Sequence, residues 1–205
     1  VYKRQLYNAH HRIYKIGHSE AETTQTVDFT GRICENTDRL AIDREFTDID
    51  EGDLVAIMDE IVLGGGCFWC IEGGMKGLKG IVELESGYSG GNTPNPTYEQ
   101  ICGKKTGHAE VVRIAFNPDE VKLQDIFEVF FTLHDPTQLN RQGNDIGPQY
   151  RSCIFYDDEN HRQIAKEAIE KASELYDKEI VTELEKIDVF WPAEEYLSLI
   201  HISEP

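Results

Sequence analysis

Ile61-Val62-Leu63-Gly64-Gly65-Gly66-Cys67-Phe68-Trp69-Cys70-Ile71-Glu72 runs from an apolar, strand-like segment through three glycines into a Cys-x-x-Cys pair. A short apolar run bounded by glycine reads as a buried strand, and the residues after the glycines as the start of a helix. A cysteine at a helix N-terminus meets the positive end of the macrodipole and unpaired N–H groups, which favour its thiolate. A second thiol three residues on can capture whatever that thiolate becomes. Phe68 and Trp69, between the two, give the site an apolar wall. The stretch reads as redox chemistry on the first β-α step of a fold.

Working outward, the motif's helix is expected from Cys67 to about Lys79, weakened by Gly73, Gly74 and Gly77. Ile81–Tyr88 reads as a strand and Ser89–Pro96 as a loop by composition. Ala109–Phe116 is a β-branched strand closed by Asn117-Pro118-Asp119. Leu123–His134 places Ile126, Phe127, Phe130 and Phe131 on one helical face. Arg151–Tyr156 reads as a strand, and Asp158 suits the N-cap of a helix to about Tyr176. That helix turns Ile164, Ala165, Ala168, Ile169, Ala172 and Leu175 inward, and Val181–Ile187 follows as a strand. The order β-α-β-β-α-β-α-β opens with the split unit of a ferredoxin-like fold. The expected class is therefore α+β: a ferredoxin-like two-layer sandwich with a mixed, mostly antiparallel sheet and helices on one face.

Lys and Arg number 20 against 38 for Asp and Glu, a formal net charge of −18, which argues against nucleic acid or an anionic membrane as partner. No apolar run approaches the ~20 residues that span a bilayer. The five cysteines show no spacing of a secreted disulfide framework, and only Cys67 and Cys70 form a close pair. Cys34 stands alone, while Cys102 and Cys153 sit in apolar, strand-like contexts and read as core. One working dithiol in a reducing compartment fits, so the expected location is cytoplasmic.

Residues 1–57 read as a polar segment with no sustained period-2 or helical pattern and no assigned function. His10, His11 and His18 are too loosely set for a metal site. Met58, three residues before the first strand, marks a natural start for a catalytic domain over 58–196, with upstream read-through or a fragment before it. Val1–Gln5 and Leu197–Pro205 resemble translated sequencing-adapter DNA, so 197–205 reads as a tail foreign to the domain.

Two further segments are too polar and too specific to be ordinary loops. One is Gly90-Gly91-Asn92-Thr93-Pro94-Asn95-Pro96-Thr97-Tyr98, followed by Thr106-Gly107-His108-Ala109-Glu110. The other is His134-Asp135-Pro136-Thr137-Gln138, then Arg141 to Ser152. With Gly-Cys-Phe-Trp, and in this order, they make the chain closely resemble the methionine sulfoxide reductase A family from about Ile61 to Tyr196.

The resemblance implies a ferredoxin-like α+β fold and thiol-dependent reduction of the S epimer of methionine sulfoxide, free or in proteins. It places the nucleophile on Cys67, the pocket aromatics on Phe68 and Trp69, and the carboxylic acid on Glu110. The two tyrosines fall on Tyr98 and Tyr150, and the loop aspartate on Asp145. A protonated Glu110 would donate to the sulfoxide oxygen, a strong acceptor but a poor leaving group, and burial would keep it neutral near pH 7. Tyr98 and Tyr150 would hold that oxygen, Phe68 and Trp69 would enclose the ε-methyl, and Asp145 would act through water or by placing its loop. The Cys67 sulfenic acid would condense with Cys70 to a disulfide, which thioredoxin or another dithiol reduces. Cys102 or a cysteine beyond this sequence are the alternative resolvers. No metal or flavin is implied, and a monomer is expected. His108 reads as a structural hydrogen-bonding residue, and Glu72 either as a buried structural carboxylate or as a group with a direct role. Leu197 onward departs from the family's pattern.

Two other readings stand beside this one. A general thiol–disulfide oxidoreductase would use the Cys-x-x-Cys alone and leave the polar loops without purpose. A zinc-binding or redox-sensing module lacks a second Cys/His pair at ligand spacing.

Overall fold

The structure is a computed structural model. It describes residues 58–197 in full and, before them, only the backbone of four strand segments. These are β1 (Arg12–Lys15), β2 (Thr23–Thr30), β3 (Arg39–Thr47) and the start of β4 (Val55–Gly64). The chain divides into two compact units, 1–59 and 60–205.

In the first unit β2 and β3 pair antiparallel, from Thr23 opposite Thr47 to Thr30 opposite Arg39, and β1 pairs antiparallel with the first residues of β4. The sequence reading expects no regular pattern here, and the strands correct it. An alternation is present in Val27 and Phe29 and in Leu40, Ile42 and Phe46. Arg44 breaks it, and the acidic setting hides it. Cys34, His10, His11 and His18 lie outside the described residues, as do Val1–Gln5 and residues 198–205.

The second unit continues through α1 (Phe68–Met75), β5 (Ile81–Ser89), α2 (Tyr98–Cys102), β6 (Ala109–Phe116) and α3 (Leu123–Leu133). A small hairpin, β7 (Arg141–Gln142) and β8 (Asp145–Ile146), leads to β9 (Cys153–Tyr156) and α4 (Glu159–Ser173). β10 (Glu183–Lys186) and β11 (Phe190–Pro192) close the sheet, whose order is β10-β9-β4-β6-β5-β11. The inner order β9-β4-β6-β5, with α1 and α3 as crossovers, is the expected ferredoxin-like unit. β4 runs antiparallel to β9, with Gly64 opposite Cys153, and β5 runs antiparallel to β6 from Ile81 opposite Phe116 to Ser89 opposite Ala109. β10 adds parallel to β9 and β11 antiparallel to β5.

Alternation along the strands sorts side chains to the two faces. Ile61, Leu63, Leu84, Val112, Ile114 and Ile154 join Ile71 and Met75 of α1 and Ile126, Phe127 and Phe130 of α3 in the main core. The residues between them, Val62, Val111 and Phe155 among others, form a smaller cluster with Phe190 and Ile187.

α1 stops at Met75, shorter than the expected run to Lys79, and Lys76 is extended. Two adjacent glycines each cost a helix about 1 kcal/mol relative to alanine. A Cβ on Gly74 would collide with Leu133, so glycine there lets α1 lie against α3, whereas Gly73 faces open space. Asp158 caps α4 as expected, accepting the His161 N–H at 2.7 Å. Ala165 and Ala172 are buried, and Ile164, Ala168 and Ile169 pack at the core's edge. Leu175 does not turn inward: it keeps the stripe's spacing but lies beyond the last helical residue, Ser173, and is 80% exposed. Among the described residues no helix is long and apolar enough to cross a membrane.

Candidate active site

The turn between β4 and α1 is held from two sides. A Cβ on Gly65 would stand 2.8 Å from Cγ of His134, and one on Gly66 2.8 Å from the Gln142 side chain. Gly66 also has φ +96°, a left-handed conformation that side chains disfavour. His134, at the end of α3, donates from Nδ1 to the Phe130 carbonyl (2.9 Å), and its Nε2 accepts from the Ser152 hydroxyl (2.7 Å). Burial lowers its pKa and keeps the ring neutral, the state this pairing needs. Wedged between a buried histidine and the β7–β8 hairpin, the chain delivers Cys67 as the N-cap of α1.

Cys67 is half-buried, with Cys70 exposed one helical turn away and the Cys70 N–H bonded to the Cys67 carbonyl at 3.0 Å. Its pKa is pushed up from 9.0 to about 11. Burial is the main cause, and the negative charges of Glu110 and Asp145 and the Cys70 thiol add to it, while the Trp69 N–H pulls the other way. This corrects the expectation of a favoured thiolate: the helix N-terminus is outweighed by desolvation and nearby acids, and the resting group is a thiol.

Glu110, on β6 opposite Tyr88, is only 2% exposed. Burial raises its carboxyl from 4.5 to about 7, the Phe68 N–H donates to Oε2 at 3.3 Å and pulls it down, and Asp145 pushes it up. A group poised near neutrality beside a cysteine can hold or release a proton during turnover.

Tyr98 is the first residue of α2, and Tyr150 ends a short 3-10 turn, Pro148–Tyr150. Thr97 and Gln100 form a capping box around the start of α2. Arg151 fixes the second turn, with Nε on Glu183 at 2.7 Å and a guanidinium N–H on the Pro148 carbonyl at 2.9 Å. Both phenols are driven upward, Tyr98 by burial, the neighbouring Cys102 and Glu110, and Tyr150 to about 12 by burial, Glu110 and Asp145. Each stays an O–H donor at neutral pH. Asp145 stands exposed on the hairpin, which Lys104 ties to the end of α2 through the Ile146 carbonyl.

The structure thus places Cys67 in electrostatic reach of Cys70, Glu110 and Asp145, and Glu110 in reach of Tyr98 and Tyr150 as well. Phe68 and Trp69 differ from each other. The Phe68 ring is 1% exposed in the core, 6.2 Å from Tyr88, whereas Trp69 is 39% exposed, 5.9 Å from Phe68, and its indole N–H donates to the Leu197 carbonyl. Cys102 is not a core residue as expected: it lies exposed at the end of α2, beside Tyr98. Its segment is helical, so the apolar neighbour Ile101 turns in while Cys102 turns out. Cys153 is buried as expected.

His108 is structural, its Nδ1 accepting the Gly91 N–H (3.0 Å) and its Nε2–H donating to the Thr93 carbonyl (2.8 Å). Glu72 is buried and accepts the Ser86 hydroxyl at 2.7 Å. Two contributors are absent from the sequence reading, the Phe68 N–H on Glu110 and the Glu194 carboxylate, which accepts the Tyr98 N–H at 2.8 Å. A backbone donor carries no sequence signal, and Glu194, although it lies in the Trp191–Tyr196 stretch at the end of the resemblance, is one of two adjacent glutamates that spacing alone does not tell apart.

A thiol and two phenol donors thus share one neutralisable acid, Glu110, as electrostatic neighbour, a set of groups suited to attack on an atom whose oxygen substituent must be held and protonated.

Residues 59–199 match the model of the family described as peptide methionine sulfoxide reductase. Residues 2–60 match a different one, described as the C-terminal sheet domain of pyridoxal-dependent decarboxylases. The chain is 52% identical over 139 residues to the peptide methionine sulfoxide reductase MsrA of Saccharolobus solfataricus, covering 68% of this chain and 78% of that one. It is 52% identical over 135 residues to the MsrA of Natronomonas pharaonis, covering 65% and 76%. Among solved structures it is similar to reduced Mxr1 from Saccharomyces cerevisiae, with a TM-score of 0.67 and 33% identity over 72% of this chain and 86% of that one. Fold, site and likeness fall on one stretch of sequence, and the chain belongs to the peptide methionine sulfoxide reductase family.

Proposed function

We propose that this chain reduces the S epimer of methionine sulfoxide, free or within oxidised proteins, with Cys67 as nucleophile and Glu110 as proton donor. The observation that carries the reading is the buried Glu110, raised to about 7 next to the Cys67 thiol. Cys67 sulfur attacks the sulfoxide sulfur as Glu110 protonates the oxygen, which Tyr98 and Tyr150 hold by their O–H groups. Asp145 sets the local charge, and Trp69, tilted against the Phe68 ring, encloses the methyl group with it. The hydroxyl then passes from the methionine sulfur to Cys67: the transient S–S bond and the methionine S–O bond break as a Cys67 S–O bond forms. Methionine leaves, Cys67 is left as a sulfenic acid, and the thiol's proton has replaced the one Glu110 gave. The Cys70 thiol attacks that sulfenic sulfur, releasing water and forming the Cys67–Cys70 disulfide. Two electrons from the two thiols account for one methionine. A thioredoxin-type dithiol then restores both cysteines, with no metal or flavin. The protein acts as a monomer in the cytoplasm, and residues 1–57 and 198–205 take no part in the chemistry; Leu197, read from the sequence as the start of the foreign tail, is instead buried in the main core.

The test is a single turnover on S- and R-methionine sulfoxide with free thiols counted before and after. Methionine from the S epimer with loss of two thiols supports the reading. Equal yield from both epimers, or methionine from Cys67→Ser protein, overturns it.

A further inference from the structure

We propose that Glu194 is a positioning residue for the oxygen-binding side of the site, acting through Tyr98; this rests on the role given to Tyr98 above. Its carboxylate bridges two elements. Oε1 accepts the Tyr98 N–H at 2.8 Å, and Oε2 accepts the Tyr88 hydroxyl at 3.1 Å. Tyr88 is fully buried on β5, directly opposite Glu110, so its hydroxyl requires a partner and Glu194 supplies it. The Tyr98 N–H is one of the donors at a helix start that no intrahelical carbonyl can satisfy. α2 has five residues, too few to fix its own orientation. The aim of the Tyr98 phenol therefore depends on what holds the first turn of α2, and a carboxylate makes the stronger, charge-assisted bond there.

Glu194 is itself held. β11 registers Trp191 opposite Tyr88, the Ala193 N–H donates to the Ser86 carbonyl at 2.9 Å, and the Leu197 N–H donates to the Glu194 carbonyl at 2.8 Å. Leu197 is buried in the main core. The segment 193–197 thus reaches two residues of the site, Glu194 holding Tyr98 and Leu197 holding Trp69.

The experiment is a double-mutant cycle on single-turnover kcat/KM with S-methionine sulfoxide, read in full-length protein. Glu194→Ala is expected to cost about 10- to 100-fold, the scale of misplacing one catalytic group by about 1 Å. In a Tyr98→Phe background the same substitution is expected to cost less than about threefold, because the group it positions is already gone. Glu194→Gln, which still accepts the Tyr98 N–H, is expected within about threefold of wild type. Equal losses in both backgrounds would show a general structural role and overturn the proposal. Tyr98→Phe at the wild-type rate would instead remove the oxygen-binding role of Tyr98, and this proposal with it. Should Glu194→Ala fail to fold, Glu194→Asp, too short to bridge both partners, takes its place in the cycle with the same expectations.

Discussion

Glu110→Gln keeps the side chain's volume and a donor aimed at the substrate oxygen but removes the transferable proton. In the wild type the reactive pair is the Cys67 thiolate with neutral Glu110, one proton between two groups. The carboxyl titrates at about 7 and the thiol at about 11. Below pH 7 both are protonated, and the reactive pair grows tenfold per pH unit. Between 7 and 11 the pair shares a single proton, and the reactive arrangement is a constant fraction, about 10⁻⁴ of the free enzyme, from the fourfold-decade gap between the two values. Single-turnover kcat/KM should therefore rise to about pH 7 and then level off through pH 9. In Glu110→Gln only the thiol titrates, so the rise continues tenfold per unit with no break near 7. At pH 7 the variant should be slower by about 10²–10⁴, the usual worth of a positioned general acid. The assay is rapid-quench methionine formation between pH 5.5 and 9. A wild-type profile that falls tenfold per unit above pH 7 would mean that both groups must be protonated, and the reasoning would be wrong. So would a variant that keeps the break.

The same carboxyl also makes folding depend on pH. Its folded pKa lies above the ordinary 4.5, so its stability contribution is whole below 4.5 and is lost as pH rises through about 7. The loss comes to about 3 kcal/mol, and urea unfolding at pH 5 and 8 should show it as a difference between wild type and Glu110→Gln. Gly65→Ala forces a methyl against the buried His134 ring, 2.8 Å from Cγ, and should cost about 1–3 kcal/mol in thermal unfolding. Cys70→Ser should form one methionine per enzyme and stall as a sulfenic acid that dimedone captures, with thioredoxin unable to restore it. Removal of residues 1–57 should leave kcat/KM within about twofold, the scale of a substitution remote from the chemistry.

What the sequence made legible was whatever leaves a periodic or compositional trace. The strands of the inner sheet and α3 alternate or repeat cleanly, and their side chains took the expected faces. Short elements escaped. α2 spans five polar-rich residues, although Thr97 and Gln100 spell a capping box that marks its start. β7 and β8 have two residues each, too few for any period, and Pro192 disguised β11, an edge strand where proline is tolerated. The candidate site was legible as a set because its motifs occur in order, but its electrostatics were not. Whether Cys67 is thiol or thiolate depends on how deeply it is buried and which acids surround it. Both are tertiary facts: Glu110 and Asp145 lie on a strand and a hairpin far along the chain.

The bond from the Trp69 indole to the Leu197 carbonyl gives the protein a built-in optical gauge. The chain has two tryptophans, and the other, Trp191, lies on β11 opposite Tyr88 rather than between the two cysteines. A disulfide between Cys67 and Cys70 closes across Trp69 and is expected to shift the indole against the Leu197 carbonyl, so that emission colour follows oxidation and recycling without a dye. Anyone attaching a tag just after Leu197 would be pulling on the same string.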